Sequence, residues 1–157
     1  MLSDGTRFFR DVATHKGAVA IVAVDDQGRI GLIRQYRAPI DRLSLEIPAG
    51  TLDVAGEDPL DAAQRELLEE LGCCALRWKL LGQFMVSPGW TNQVMTIYEA
   101  RELTFVERSP DGPEEVSSSV HWMSVKELRD ALGDAVAVDA TTALGLGRVL
   151  GSVLGDD

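Results

Sequence analysis

The tightest constraint in this sequence is a run of acid on one short helical segment. Arg65-Glu66-Leu67-Leu68-Glu69-Glu70-Leu71-Gly72 places three glutamates within five residues. On a helix Glu66 and Glu70 are i,i+4 neighbours and Glu69 lies three residues from Glu66, so the three crowd together and repel. Within the segment only Arg65 offers an opposing charge. Hard oxygen ligands gathered beyond what one arginine neutralises are the sequence form of a divalent-metal site, with Mg²⁺ the natural occupant where phosphates are involved and Mn²⁺ the alternative.

The flanking residues make the helix credible. Asp58 suits the N-cap, Pro59 the first helical position, and Asp61 the negative first turn that the helix dipole favours. Gly72 supplies the stop. Leu60, Ala63, Leu67 and Leu71 recur at spacings of three and four, which predicts an apolar stripe with the acidic residues on a separate face.

Taken together, Gly50, Glu57, Arg65-Glu66-Leu67, Glu69-Glu70 and Gly72-Cys73 resemble the Nudix box, whose pattern is G-x5-E-x7-R-E-U-x-E-E-x-G-U with U apolar. Each fixed residue type is present. One spacing departs, because six residues instead of five separate Gly50 from Glu57. The extra residue falls in Thr51 to Gly56, which reads as loop, so the helix keeps its register. The bland alternative, a solvated acidic helix, does not account for so many fixed positions at once.

The remainder of the chain bounds its class. Its 157 residues suit one domain with a substantial core. The net charge of -10 opposes a nucleic-acid partner, which would need lysine and arginine to neutralise phosphates. A small phosphorylated ligand remains compatible, since bound divalent ions supply positive charge locally. No charged-then-apolar leader opens the sequence, and the longest apolar run, Ala18 to Val24, is too short to span a bilayer. A cytoplasmic protein without a membrane partner is therefore expected. Cys73 and Cys74 are adjacent, a poor arrangement for a disulfide, and read as two thiols packed among apolar neighbours.

Read in order, residues 1–16 form an N-terminal arm without period, in which Phe8 and Phe9 suggest packing, and residues 17–157 form the domain. Gly17 to Val24 and Ile30 to Tyr36 flank the turn Asp25-Asp26-Gln27-Gly28 and read as a hairpin. Leu43 to Ile47 is a further strand, ending at a turn through Pro48-Ala49-Gly50. Leu76 to Val86 reads as a strand with Trp78 and Phe84 buried, Ser87-Pro88-Gly89 as a turn, and Gln93 to Ala100 as the next strand. A polar loop over 107–115 precedes a strand at Val116 to Met123. Ser124 and Glu127 make a capping box for a helix to about Leu132, and a last helix runs from about Asp139 to Leu154. Strands interleaved with a few helices predict an α+β mixed sandwich. The Nudix resemblance implies a mixed sheet flanked by helices, with the box as loop-helix-loop.

Three further segments, Arg34-Gln35-Tyr36-Arg37, Leu45-Glu46-Ile47-Pro48-Ala49-Gly50 and Ser87-Pro88-Gly89, are similar to the branch that hydrolyses ADP-ribose and other nucleoside diphosphate sugars. This resemblance covers roughly residues 15–150. It implies Glu66, Glu70 and the Ala49 carbonyl as metal ligands, with Glu69 a third acidic candidate for metal or catalysis. It implies Arg37 as a contact to the diphosphate, Gly50, Glu57, Arg65 and Gly72 as the frame of the box, and Glu115 or Glu114 as the loop acid assisting the attacking water. A homodimer is implied by the same analogy. Two departures stand out. Trp90-Thr91-Asn92-Gln93 carries amides where the branch has two acids, which keeps hydrogen bonding, with Gln93 a substrate-binding candidate, but loses charge. The short N-terminus leaves Phe8 and Phe9 as the residues that could complete a base pocket. The sequence thus supports a hydrolase of ADP-ribose or a related nucleoside diphosphate derivative, against the alternative of a non-catalytic ligand sensor on the same fold. His15 and His121 read as packed or surface residues.

Overall fold

The computed structural model describes residues 4, 5, 7–108, 118–133 and 137–151. Its strands are β1 (Ala18–Ala23), β2 (Ile30–Arg37), β3 (Arg42–Glu46), β4 (Ala49–Thr51), β5 (Cys73–Met85), β6 (Val94–Phe105), β7 (Ser119–Met123) and β8 (Ala137–Val138). Its helices, among the described residues, are α1 (Pro59–Leu71), α2 (Val125–Gly133) and α3 (Ala140–Leu150). The strands form two mixed sheets, one in the order β4-β1-β6-β5 and the other β7-β2-β3-β8. The α+β reading of the sequence holds.

Strand β1 sits at the centre and is buried along its whole length. A strand covered on both faces needs apolar side chains at every position, hence the unbroken run Ala18 to Ala23. Its residues divide by the two-residue pleat. Val19, Ile21 and Ala23 pack with Ala62, Ala63 and Leu67 of α1. Ala18, Ala20 and Val22 pack with Leu32 and Leu45 of the second sheet, Leu128 of α2 and Leu146 of α3. Helix α1 therefore lies against one face of the first sheet, where Ile33 and Trp122 of the second sheet join it, and Leu32 and Leu45 of that sheet pack with α2 and α3 on the other.

Local signals fix the helix ends. Asp58 accepts from the Leu60 N–H at 2.9 Å, Pro59 opens α1, and Gly72 closes it with φ 65°. A side chain at Gly72 would also meet the Val106 carbonyl at 2.9 Å, so glycine is needed there twice over. The Ser124 capping box forms as expected, with the Glu127 carboxylate accepting from the Ser124 N–H at 2.8 Å and the Ser124 hydroxyl accepting from the Glu127 N–H at 3.3 Å. Ser87-Pro88-Gly89 turns as expected, the Ser87 carbonyl accepting from Trp90 and Thr91.

Several expectations are corrected. β1 and β2 are not a hairpin: after a single bridge at Val24 and Ile30 they diverge into different sheets. The connection through Ala49 and Gly50 is itself a short strand, paired with β1. Trp78 and Phe84 are half-buried, Trp78 packing edge-on against Tyr98. Cys73 is buried, which pushes its thiol up to about 12, but Cys74 is exposed. Phe8 and Phe9 do not pack into the domain, and Phe9 is 94% exposed. The arm instead joins the Ser87–Asn92 turn, Ala13 donating to the Trp90 carbonyl at 2.8 Å and His15 N–H to Asn92 Oδ1 at 2.7 Å. No helix among the described residues is long and apolar enough to cross a membrane.

Helix α3 depends on its cap. Asp139 accepts from the N–H groups of Thr142 at 2.9 Å and Thr141 at 3.1 Å. Replacing Asp139 by Ala should destabilise the protein by about 1 kcal/mol and lower Tm by a few degrees in a thermal unfolding scan, whereas Asn should retain most of the stability.

Candidate active site

The acidic face of α1 is turned inward. Glu66 and Glu70, which the sequence sets on a face separate from the apolar stripe, are 6% and 5% exposed. The physical reason is visible on β4. Leu52 N–H donates to the Gly17 carbonyl and Ile21 N–H to the Pro48 carbonyl, so Ala20 and Ala49 form a pair without hydrogen bonds between them. The N–H and carbonyl of Ala49 therefore point away from β1, and that N–H donates to Glu70 Oε2 at 2.9 Å. Next along the strand, a Cβ at Gly50 would stand 1.9 Å from Glu66 Oε1 and 2.0 Å from its carboxyl carbon. Glycine at this position leaves room for a carboxylate.

Arg65 organises the rest of the cluster. Its Nε and Nη2 donate to the two carboxylate oxygens of Glu57 at 3.1 and 3.2 Å, and its Nη1 donates to Glu66 at 2.7 Å and Glu69 at 3.0 Å. The hydrogen bonds to Glu57, ahead of the opposing effect of burial and the pull of Glu66 and Glu69, hold the guanidinium even more firmly protonated than usual. The extra residue in the Thr51 to Gly56 loop thus does not prevent Glu57 from reaching Arg65. Glu69 meets Glu66 through Arg65. No group of three or more His, Cys, Asp or Glu side chains is gathered in metal-binding geometry among the described residues, so a cation here would draw on backbone oxygen as well as Glu66 and Glu70.

Beside β4 lies a cavity of about 420 Å³, bordered by Arg37, Glu46, Ala49, Gly50, Gln93 and Thr142. Arg37 and Gln93, predicted from distant segments, are brought together here with Ala49 and Gly50. Glu46 was not singled out from sequence. It is 7% exposed and takes a two-pronged ion pair from Arg37, Nε to Oε1 at 2.9 Å and Nη2 to Oε2 at 2.6 Å. A sequence signal did exist, a lone acid between Leu45 and Ile47 on a strand otherwise running into the core, but it had no local partner to mark it. Glu114 and Glu115 lie outside the described residues.

Residues 14–143 match the family model described as the NUDIX domain. The chain belongs to the Nudix family. It is similar to the ADP-ribose pyrophosphatase of Mycobacterium tuberculosis, at 39% identity over 86% of this chain and 68% of the relative. The corresponding protein of Bacillus subtilis is 34% identical over 90% of this chain and 76% of its own length. A crystal structure of an ADP compounds hydrolase superposes with a TM-score of 0.75 at 28% identity, covering 85% of this chain and 70% of that one. The Nudix fold and these relatives make the chain an enzyme of the Nudix hydrolase kind. The fold places the box as resemblance implied, loop, helix α1, then the turn at Gly72.

Two measurements follow from this geometry. Gly50→Ala should push the Glu66 carboxylate aside, since the clash is with the end of a side chain. Hydrolase activity should fall about 100-fold while Tm changes by only a few degrees. The Glu46 carboxyl gives a pH signature. Burial alone would raise its pKa, but the hydrogen bonds and charge of Arg37, helped by Ser44 and Gln35, hold it below the ordinary 4.5. A folded-state value below the unfolded one stabilises the protein above pH 4.5, and this contribution fades as pH falls through the folded value. Urea unfolding across an acid pH series should therefore show a flatter loss of stability below pH 4.5 in Glu46→Gln than in the parent.

Proposed function

We propose that this Nudix hydrolase cleaves the pyrophosphate of ADP-ribose or a related nucleoside diphosphate sugar, yielding a nucleoside monophosphate and a sugar phosphate. The observation that carries the reading is that two buried acids and an arginine-lined cavity share one short strand. Glu66 and Glu70 are buried against β4, and Arg37 stands at the cavity that Ala49 and Gly50 border. The identity of relatives named for ADP-ribose supports the substrate class.

Glu66, Glu70 and the Ala49 carbonyl suit a hard divalent cation, and glycine at position 50 lets the Glu66 carboxylate lie against the strand that carries that carbonyl. We assign Mg²⁺, with Mn²⁺ as the alternative. When bound, such an ion supplies neutralising charge at the phosphoryl oxygens and lowers the pKa of a coordinated water. The protein's own residues do the remainder. Arg37 receives the diphosphate with guanidinium N–H donors whose fork matches phosphate oxygens. Glu57 and Arg65 hold α1 so that Glu66 stays aimed inward. Glu69 is assigned as the third acid of the cluster, acting on the metal or the reacting water. Gln93 reads the sugar by hydrogen bonding in place of an acid. Glu115, or failing it Glu114, is assigned to take the proton of the attacking water. Water adds to one phosphorus, the bridging P–O bond breaks, and the leaving phosphate departs with the sugar or the nucleoside. We assign the enzyme to the cytoplasm without a membrane partner and as a homodimer, the dimer by analogy with that branch, and its net charge of -10 opposes a nucleic-acid partner.

Turnover of a panel of nucleoside diphosphate sugars, with Mg²⁺ and with chelator, tests the reading. ADP-ribose or a close analogue should be cleaved, chelation should abolish the reaction, and Glu70→Gln should reduce the rate by about two or more orders of magnitude without unfolding the protein. Metal-dependent binding without cleavage would replace the enzyme by a ligand sensor. An unchanged rate in Glu70→Gln would remove that residue from the metal site.

A further inference from the structure

The cavity wall holds a carboxylate that the chemistry above does not use. Glu46 lies at the end of β3, buried, with Arg37 bound across both of its oxygens and Gln35 Nε2 donating to Oε2 at 3.3 Å. Arg37 is different in character. Its side chain is 39% exposed, long and rotatable, and would sample many positions if its guanidinium were left to solvent. A rigid two-pronged bond to a buried acid removes that freedom.

The strand carrying Glu46 is itself pinned step by step toward the acidic helix. Ile47 N–H donates to Thr142 Oγ1 at 2.9 Å, and Thr142 is fixed in turn by Asp139 at the start of α3. Two residues on, Ala49 N–H donates to Glu70 at 2.9 Å, and Gly50 lies flush against the Glu66 carboxylate. One five-residue connector, Glu46 to Gly50, thus touches Arg37 at one end and both buried glutamates of α1 at the other. The separation between the anion-binding arginine and the carboxylates is set by this segment and not by the free reach of the arginine.

We propose that Glu46 is a positioning residue, which holds Arg37 at a fixed offset from Glu66 and Glu70 so that a diphosphate meets the guanidinium and the carboxylate cluster in a single pose. The proposal rests on the function assigned above. Glu46 does not touch substrate; it acts through Arg37. The same pair also borders a second, neighbouring cavity of about 410 Å³ lined by Pro39, Ile40 and Val138, so loosening Arg37 would open one space into the other.

A double-mutant cycle separates this role from simple structural support. Glu46→Gln keeps the side-chain volume but removes the charge, and should raise KM for ADP-ribose about tenfold while kcat falls far less. Arg37→Ala should raise KM further. In the Arg37→Ala background Glu46→Gln should then add nothing, because its effect passes through Arg37. Additive effects, or a kcat loss in Glu46→Gln that persists without Arg37, would overturn the proposal. An NMR measurement keeps the question independent of the substrate. The Arg37 Nε–H resonance, identified by its disappearance in Arg37→Lys, should exchange slowly in the parent and faster in Glu46→Gln. If it exchanges in the parent as fast as those of exposed arginines, Arg37 is not held and the proposal falls. A parent that turns over no compound in the panel counts against the assigned function, and the resonance alone then decides whether Glu46 holds Arg37.

Discussion

The structure depends on burying the carboxylates of Glu66 and Glu70 inside a small domain. Burying a charge is costly unless it is paired and hydrogen-bonded, by several kcal/mol per ion even after relaxation. The chain offsets this cost with a few fixed donors. Arg65 spreads one guanidinium over Glu57, Glu66 and Glu69, and the Ala49 N–H serves Glu70. Each donor imposes a constraint elsewhere. Arg65 can span its three partners only if Glu57 is carried back to the helix by the loop after β4. Ala49 can donate to Glu70 only because β4 is the edge strand of its sheet, with one row of backbone groups turned away from β1. The absence of a side chain at Gly50 is required by the same arrangement. These features recur as a spaced motif because they solve one electrostatic problem together.

What the sequence disclosed follows from how local each signal is. The ends of α1, the capping box at Ser124 and Glu127, and the turn at Ser87 to Gly89 rest on side chains that bond within four residues, so their chemistry is complete in the sequence itself. Pairing of strands is not local. The turn at Asp25 is well made, its carboxylate accepting from Gln27 and twice from Arg29, yet it ends in divergence between sheets instead of a hairpin. A good turn specifies a change of direction and not a partner. The apolar stripe of α1 was legible in a related way: Ala63, Leu67 and Leu71 do face the core. The sequence separates the acids from that stripe but does not show that Glu66 and Glu70 are themselves buried, because β4, which covers them, lies outside the helix.

The same limit explains Glu46. Its partner Arg37 sits on the neighbouring strand across a turn that includes Pro39 and Asp41, and nothing in the spacing of the two residues marks a pair. Their meeting is produced by the antiparallel register of β2 and β3, in which Gln35 stands opposite Ser44 and Arg37 opposite Arg42. A register shift of one residue would turn Glu46 to the other face of the sheet and set Arg37 opposite Leu43 or Asp41 in place of Arg42. Resemblance identified the segment containing Glu46 without giving the residue a task, and only the fold supplies one.

The net charge of -10 gains meaning from this layout. An acidic protein repels an anionic ligand at long range, so affinity for a diphosphate has to be built at short range, where solvent screening is weaker and geometry decides. On the proposed reading the charge is divided between two elements beside the same short strand. The second sheet contributes a guanidinium held by a buried acid at the cavity, and α1 contributes the two carboxylates that lie against Ala49 and Gly50. Neither half suffices, because an arginine alone does not neutralise a transition state and buried glutamates alone oppose the ligand. The connector from Glu46 to Gly50 belongs to both halves. Its five residues carry an ion pair, a hydrogen bond to α3, a hydrogen bond to α1 and a position open only to glycine, and a substitution in any of them would alter the distance on which recognition rests.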